Sequence, residues 1–162
     1  GFHSNQRARQ TKTEAYLSDP IGFQLQLIKE IGLLEKTAAR RGLKLIVRLN
    51  GTSDIDWSKV YNACGNTQFV EYTKNPVCHF PANVSLTFSY SGFNFIDTFA
   101  YLKGGTNVSV VFRKAIPKQW NGFKVIDGDK HDIRTLDKKG VIVGLLAKGK
   151  AKKDLSGFVQ EK

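Results

Sequence analysis

Apolar positions along the chain follow two periods, and each period predicts a different element. From Ser18-Asp19-Pro20, apolar residues recur at Ile21, Leu25, Ile28, Ile31 or Leu34, and Ala38, and the stretch closes on Arg40-Arg41-Gly42. Ser or Asp caps orphan amides, Pro suits the first turn, and a basic, glycine-terminated end complements the helix dipole, so a helix is predicted between those signals. Short runs rich in Val, Ile, Leu and Phe at Lys44–Leu49, Gln68–Tyr72, Val84–Phe88, Val108–Phe112, Val125–Ile126 and Val141–Leu146 predict about six strands. Two further helices are expected. Ser53 or Asp54 would cap one carrying Ile55, Trp57, Val60, Tyr61 and Cys64, and Asn94 would cap Phe95–Lys103 ahead of Gly104-Gly105.

Strand, helix, strand at this spacing is the rhythm of a βαβ crossover, which favours a parallel sheet. The expectation is α/β: a single domain with a mostly parallel sheet of about six strands, forming an incomplete (β/α) barrel or an open twisted sheet. A complete barrel needs about 250 residues, more than the 162 here. The stretch 73–83 holds two prolines and no helical period, leaving a loop crossover or an antiparallel turn open; 115–122 is too broken for a full helix. The divisions expected are a basic N-terminal segment 1–17, the α/β domain 18–147 and a basic C-terminal tail 148–162.

Each strand runs into a polar cluster. Parallel strands gather such clusters at one rim, where α/β sheets place their sites. Arg48, Asn50, Ser53, Tyr72, Lys74, Asn94, Arg113 and Lys148 are the ligand-binding candidates, and Asp54, Asp127 and Asp129 the carboxylates for acid-base work. Arg48 stands out, because a charge within a Val-Leu strand must reach solvent, a carboxylate or a polar lumen. Asn50-Gly51-Thr52-Ser53-Asp54 can present amides and hydroxyls to an anion, although plain capping explains the same residues and the spacing is not that of a P-loop. Asp127-Gly128-Asp129-Lys130-His131-Asp132 gathers cation-binding groups, but it lacks the rest of an EF-hand, and Asp-Gly is ordinary turn chemistry, so no metal ligands are assigned.

Composition narrows the partners. Lys and Arg number 25 against 14 Asp and Glu, a formal charge of +11, which favours polyanions, nucleic acid first. Arg7, Arg9 and Lys12 crowd one end and Lys148, Lys150, Lys152 and Lys153 the other, although lysines of this kind can simply keep a protein soluble. Phe2, Tyr72, Tyr90, Phe93 and Trp120 could stack bases or pack a core. Cys64 and Cys78 read as reduced, packed thiols of a cytoplasmic protein in its host cell, and no run approaches the ~18 apolar residues of a membrane span. Cys78 beside His79 is no catalytic pair if that segment is extended, since the side chains then point apart. No nucleophile elbow, zincin motif or paired-cysteine zinc motif occurs. The chain has no methionine and opens on Gly1-Phe2-His3-Ser4, as a fragment of a longer product would.

The segments Val47–Ile55, Glu71–Lys74, Leu86–Ser89 and Val125–Asp129, with the ending Ile142–Ala151, resemble in order the phage- and plasmid-borne gene product 88 family over nearly the whole chain. The resemblance implies a mobile-element protein and assigns no biochemical activity. Members carry a cysteine-rich stretch upstream of the part matching Gly1–Arg9. A cysteine cluster ahead of a partial βα barrel is similar to radical S-adenosylmethionine enzymes, which implies an iron–sulfur role for a longer form. Cys64 and Cys78 alone cannot ligate such a cluster. The leading expectation is therefore a phage-encoded basic protein that binds nucleic acid or a phosphate-bearing ligand at the strand ends. The alternative is a small-substrate or cofactor enzyme using Arg48, Asn50, Asp54, Lys74, Asp127 and Asp129, its cofactor unspecified; a third reading is a structural or host-interaction protein.

Overall fold

A computed structural model of the chain describes residues 2–51, 53–76 and 79–161, with backbone alone for residues 2–4. Expectations resting on Thr52, on Cys78 and its pairing with His79, and on the side chains of Phe2 and His3 lie outside the described residues. The elements run α1 Phe2–Ser18, α2 Pro20–Arg40, β1 Ile46–Val47, α3 Ser58–Ala63, β2 Gln68–Thr73, β3 Val84–Ser89, α4 Phe95–Lys103, β4 Asn107–Phe112, β5 Gln119–Trp120, β6 Phe123–Asp127, β7 Ile142–Leu146 and β8 Val159–Gln160, with 3-10 turns at Arg134–Leu136 and Gly149–Lys153.

Local chemistry explains the best-defined helix. The Asp19 side chain accepts from Gly22 N at 2.9 Å, Pro20 fills the first turn of α2, and Gly42 ends it at φ 64°, a left-handed conformation that suits glycine. The other two caps differ from expectation. Ser58 N takes Asp56 Oδ1, so α3 starts later than Ser53 or Asp54 would have set it. Asn94 occupies the N-cap position of α4, yet its side chain turns back to accept from Ser91 N at 2.8 Å and donate to Ser89 O at 2.9 Å.

One sheet of eight strands has the order β1-β2-β3-β4-β7-β6-β5, with β8 also on β4. Every pairing is parallel except the β5–β6 hairpin, and the path does not close, so the sheet is the open form of the two expected. Because β2 and β3 pair parallel, the chain between them makes a crossover rather than an antiparallel turn. Two strands exceed the expected six. β5 and β6 join through Asn121 and Gly122, both at positive φ, the two-residue turn whose twist matches a hairpin. β8 pairs Val111↔Val159 and Phe112↔Gln160, taking the place beside β4 that β3 leaves after Ser89↔Ser109. Residues 148–161, expected as a tail, thus return to the sheet, and α1 occupies the stretch expected as a basic segment.

Register assigns the faces. Phe69, Glu71 and Thr73 of β2 share a face with Val84 and Phe88 of β3, Val108, Val110 and Phe112 of β4, Ile142 of β7 and Val125 of β6. Helices α2 and α3 pack on this face around Phe69, and α4 packs around Phe88 and Val108. The opposite face carries Tyr72, Thr87, Ser89, Asn107, Ser109 and Val143, and the segment from Gly128 crosses it against Val143 and Leu145. Because β1–β4, β6 and β7 run the same way, their carboxyl ends share one rim.

Candidate functional site

At the β1 end of the rim, one buried asparagine organises the loop. Asn50 Oδ1 accepts from Ser53 Oγ at 2.9 Å, Ile55 N at 3.0 Å and Trp57 Nε1 at 3.0 Å, while its Nδ2 donates to Ile55 O at 2.9 Å. Asp54 accepts from Thr73 Oγ1 at 2.7 Å and from Lys74 N at 3.3 Å, tying this loop to the end of β2. Glu71, 1% exposed, accepts from Leu49 N at 2.9 Å and Asn50 N at 3.2 Å. Burial pushes its carboxyl up, against these amides, Tyr61 and Arg48, which lower it. Burial and the facing Glu71 likewise raise the Tyr61 phenol. Arg48 lies on the sheet face opposite the helices, its guanidinium 4.5 Å from the Tyr72 ring centre and its Nε donating to Asn50 O at 3.1 Å. Burial raises the Tyr72 phenol, with Arg134 and Arg48 opposing.

The middle of the rim is filled by the chain's own C-terminal segment. Arg113 Nε pairs with Glu161 Oε1 at 2.6 Å, and its other nitrogens donate to the carbonyls of Lys152 and Asp154. Lys74 Nζ stands 5.0 Å from the Phe158 ring, and a Cβ on Gly92 would lie 2.7 Å from Gly157 C. A cavity of about 490 Å³ is lined by Arg113, Trp120, Leu155 and Val159 among others.

The far end is a second cluster. Asp127 Oδ1 accepts from Asp129 N at 3.0 Å, an Asx turn; Asp129 in turn accepts from Leu146 N at 2.9 Å and Lys148 Nζ at 2.7 Å. Lys148 and the Leu146 amide hold the Asp129 carboxyl below its ordinary range, and Asp129 raises the exposed Lys148. Among the described residues, no group of three or more His, Cys, Asp and Glu is placed to hold a metal ion. The rim therefore brings together Arg48 with Tyr72, Asn50 with Ser53, Asp54 with the β2 end, and Asp127 with Asp129 and Lys148. The β2 end, which holds Asp54, and β6, which bears Asp127, are four strand spacings apart, about 19 Å along the sheet.

Beside the β1 end opens a groove of about 490 Å³, lined by Arg9, Lys12, Thr13 and Tyr16 of α1, Phe23 and Leu27 of α2, and Arg48, Leu49, Gly51, Ser53, Ile55 and Trp57. None of these described lining residues is acidic. Its cations come from two elements: α1 and the end of β1. Arg9, Lys12, Thr13 and Tyr16 follow the i, i+3, i+4, i+7 spacing of one helix face, a pattern that a bare count of N-terminal charge does not register. At the opposite ends of β3 and β4, a cleft of about 460 Å³ is lined by Arg134 and Asp137, whose side chains are 1% and 3% exposed and pair at 3.3 Å. Nothing in the local spacing of Arg134 announces that it is buried.

Fold and groove together describe a basic, open-sheet α/β protein in which a helix N-terminal to the sheet supplies cations to one corner of the rim. A family model described as Gene product 88 matches residues 1–162, so the chain belongs to the gene product 88 family, a phage-type family. Comparison with curated proteins and with solved structures finds no match. No helix among the described residues is long and apolar enough to cross a membrane.

Proposed function

We propose that this protein binds nucleic acid, and that the groove between α1, the start of α2 and the end of β1 is where it does so. The observation that carries the reading is that Arg9, Lys12 and Arg48 all line one groove whose described lining contains no carboxylate. Cations on a surface of +11 attract any polyanion, and three that line one cavity without a carboxylate among its described lining favour phosphates there over the rest of the surface. A catalytic reading has less support, since Asp54, Asp127 and Asp129 each accept a hydrogen bond from the protein's own fold.

Salt dependence tests the reading. Each phosphate neutralised releases counterions, so three contacts predict a slope of log affinity against log salt of about −2 to −3. Replacing Arg9, Lys12 and Arg48 together by Gln should remove most of that slope, whereas Lys148→Gln should leave it. Affinity for an oligonucleotide that is unchanged across rising sodium chloride would contradict the proposal.

A further inference from the structure

The groove's lining combines cations with aromatic rings, and the combination selects a kind of strand. Arg9, Lys12 and Arg48 are exposed, while the rings of Tyr16 and Phe23, which also line the groove, are partly buried. Their rings are held in place: Tyr16 meets Trp57 edge-on at 5.3 Å and Phe23 edge-on at 5.7 Å, and Phe23 stacks on Trp57 at 6.2 Å. Trp57 is itself anchored by its bond to Asn50. Such rings are pre-ordered and partly open to solvent, which is the condition for a stacking platform.

A duplex offers a groove of this kind only phosphates, because its bases are stacked on one another; single strands offer bases that can be laid on a ring. The volume of about 490 Å³ lies within the range of small-ligand pockets, about 300–1,000 Å³, and so suits a base with its flanking phosphates rather than a helix. Resting on the nucleic-acid reading above, we infer that the groove takes single-stranded nucleic acid, with a base on Tyr16 and Phe23 and flanking phosphates on Arg9, Lys12 and Arg48.

The test uses the full chain and fluorescence anisotropy with two labelled probes at one salt concentration: an oligothymidylate of about 16 nucleotides and a duplex of equal length. The oligothymidylate should bind about tenfold or more tightly than the duplex. Tyr16→Leu and Phe23→Leu keep apolar bulk but remove the ring face, and each should weaken oligothymidylate binding about tenfold while leaving duplex affinity unchanged. Tyr16→Phe keeps the ring and should keep the affinity, which separates stacking from damage to the fold. Equal affinity for both probes, with the leucine variants binding like the parent, would overturn the single-strand inference and leave the groove as a nucleic-acid site. Absence of binding to either probe would remove the underlying reading as well.

Discussion

Glu71 shows how a single side chain can serve the fold at an electrostatic cost. It sits on the helix-covered face of β2, where its carboxylate accepts the Leu49 and Asn50 amides that follow β1 and so positions the loop from which Arg48 and Ser53 border the groove. Burial is the largest influence on it, and its pKa is raised. A raised folded-state pKa in an acid means that the native protein holds the proton more tightly than the unfolded chain. Stability should therefore fall as pH rises from the ordinary carboxylate range through the raised value, by about 1.4 kcal/mol for each unit of elevation. Urea midpoints measured from about pH 4 to 7 should show that fall in the parent and a flatter profile in Glu71→Gln, which keeps an acceptor oxygen. A parent that instead gains stability relative to Glu71→Gln over the same range would reverse the assignment. Asn50 and Asp54 are likewise positioned by the roles their side chains play in the loop. Such roles are hard to read in advance, because Asx and capping spacings look alike until the chain folds.

At the scale of elements, the strands with a strong apolar run and the helices with an apolar stripe were legible. α4 spans Phe95–Lys103 as its capping residue and glycines indicated, and β3 and β4 fall within a residue of their apolar runs. β1 is confined to Ile46–Val47, and beyond it the Leu49 and Asn50 amides go to the Glu71 carboxylate while Ile55 and Trp57 bond to Asn50, instead of extending the strand and the helix. α1 was missed because its 17 residues carry no apolar stripe; it is placed by contacts near its end, where Tyr16 meets Phe23 and Trp57. The β5–β6 hairpin was legible in principle, since Trp120-Asn121-Gly122-Phe123 places the favoured Asn-Gly turn between two aromatic residues. β8 had no such signal, because Val159 and Gln160 are too short a run to announce a strand. Its placement depends on Gly92, which has φ 94° and lies against the backbone of Gly157 and Phe158. Gly92→Ala should lower stability by about 1–3 kcal/mol from backbone strain alone, with the clash adding to it. Limited proteolysis should then cut residues 148–161 faster than in the parent; an unchanged melting temperature and cleavage rate would mean that this contact does not hold β8.

For the whole molecule, parallel strand order was legible and put the polar clusters on one rim, as their spacing implied. What local spacing could not convey is that the C-terminal segment occupies the middle of that rim through Arg113, Lys74 and Gly92. The rim is thereby divided into a corner at β1 and a corner at β6 and β7. Nor could it convey that α1 returns Arg9 and Lys12 to the first corner, since that depends on how two helices meet around Asp19 and Pro20. The formal charge of +11 is a property of the whole surface, whereas the proposed function belongs to one corner of it. Location is thus the central claim, and amide chemical-shift mapping during titration with a short oligothymidylate tests it most directly. Shifts should concentrate in residues 9–16, 23–27 and 48–57. Shifts concentrated instead around Asp129 and Lys148, or around Arg134 at the opposite ends of the strands, would contradict the account.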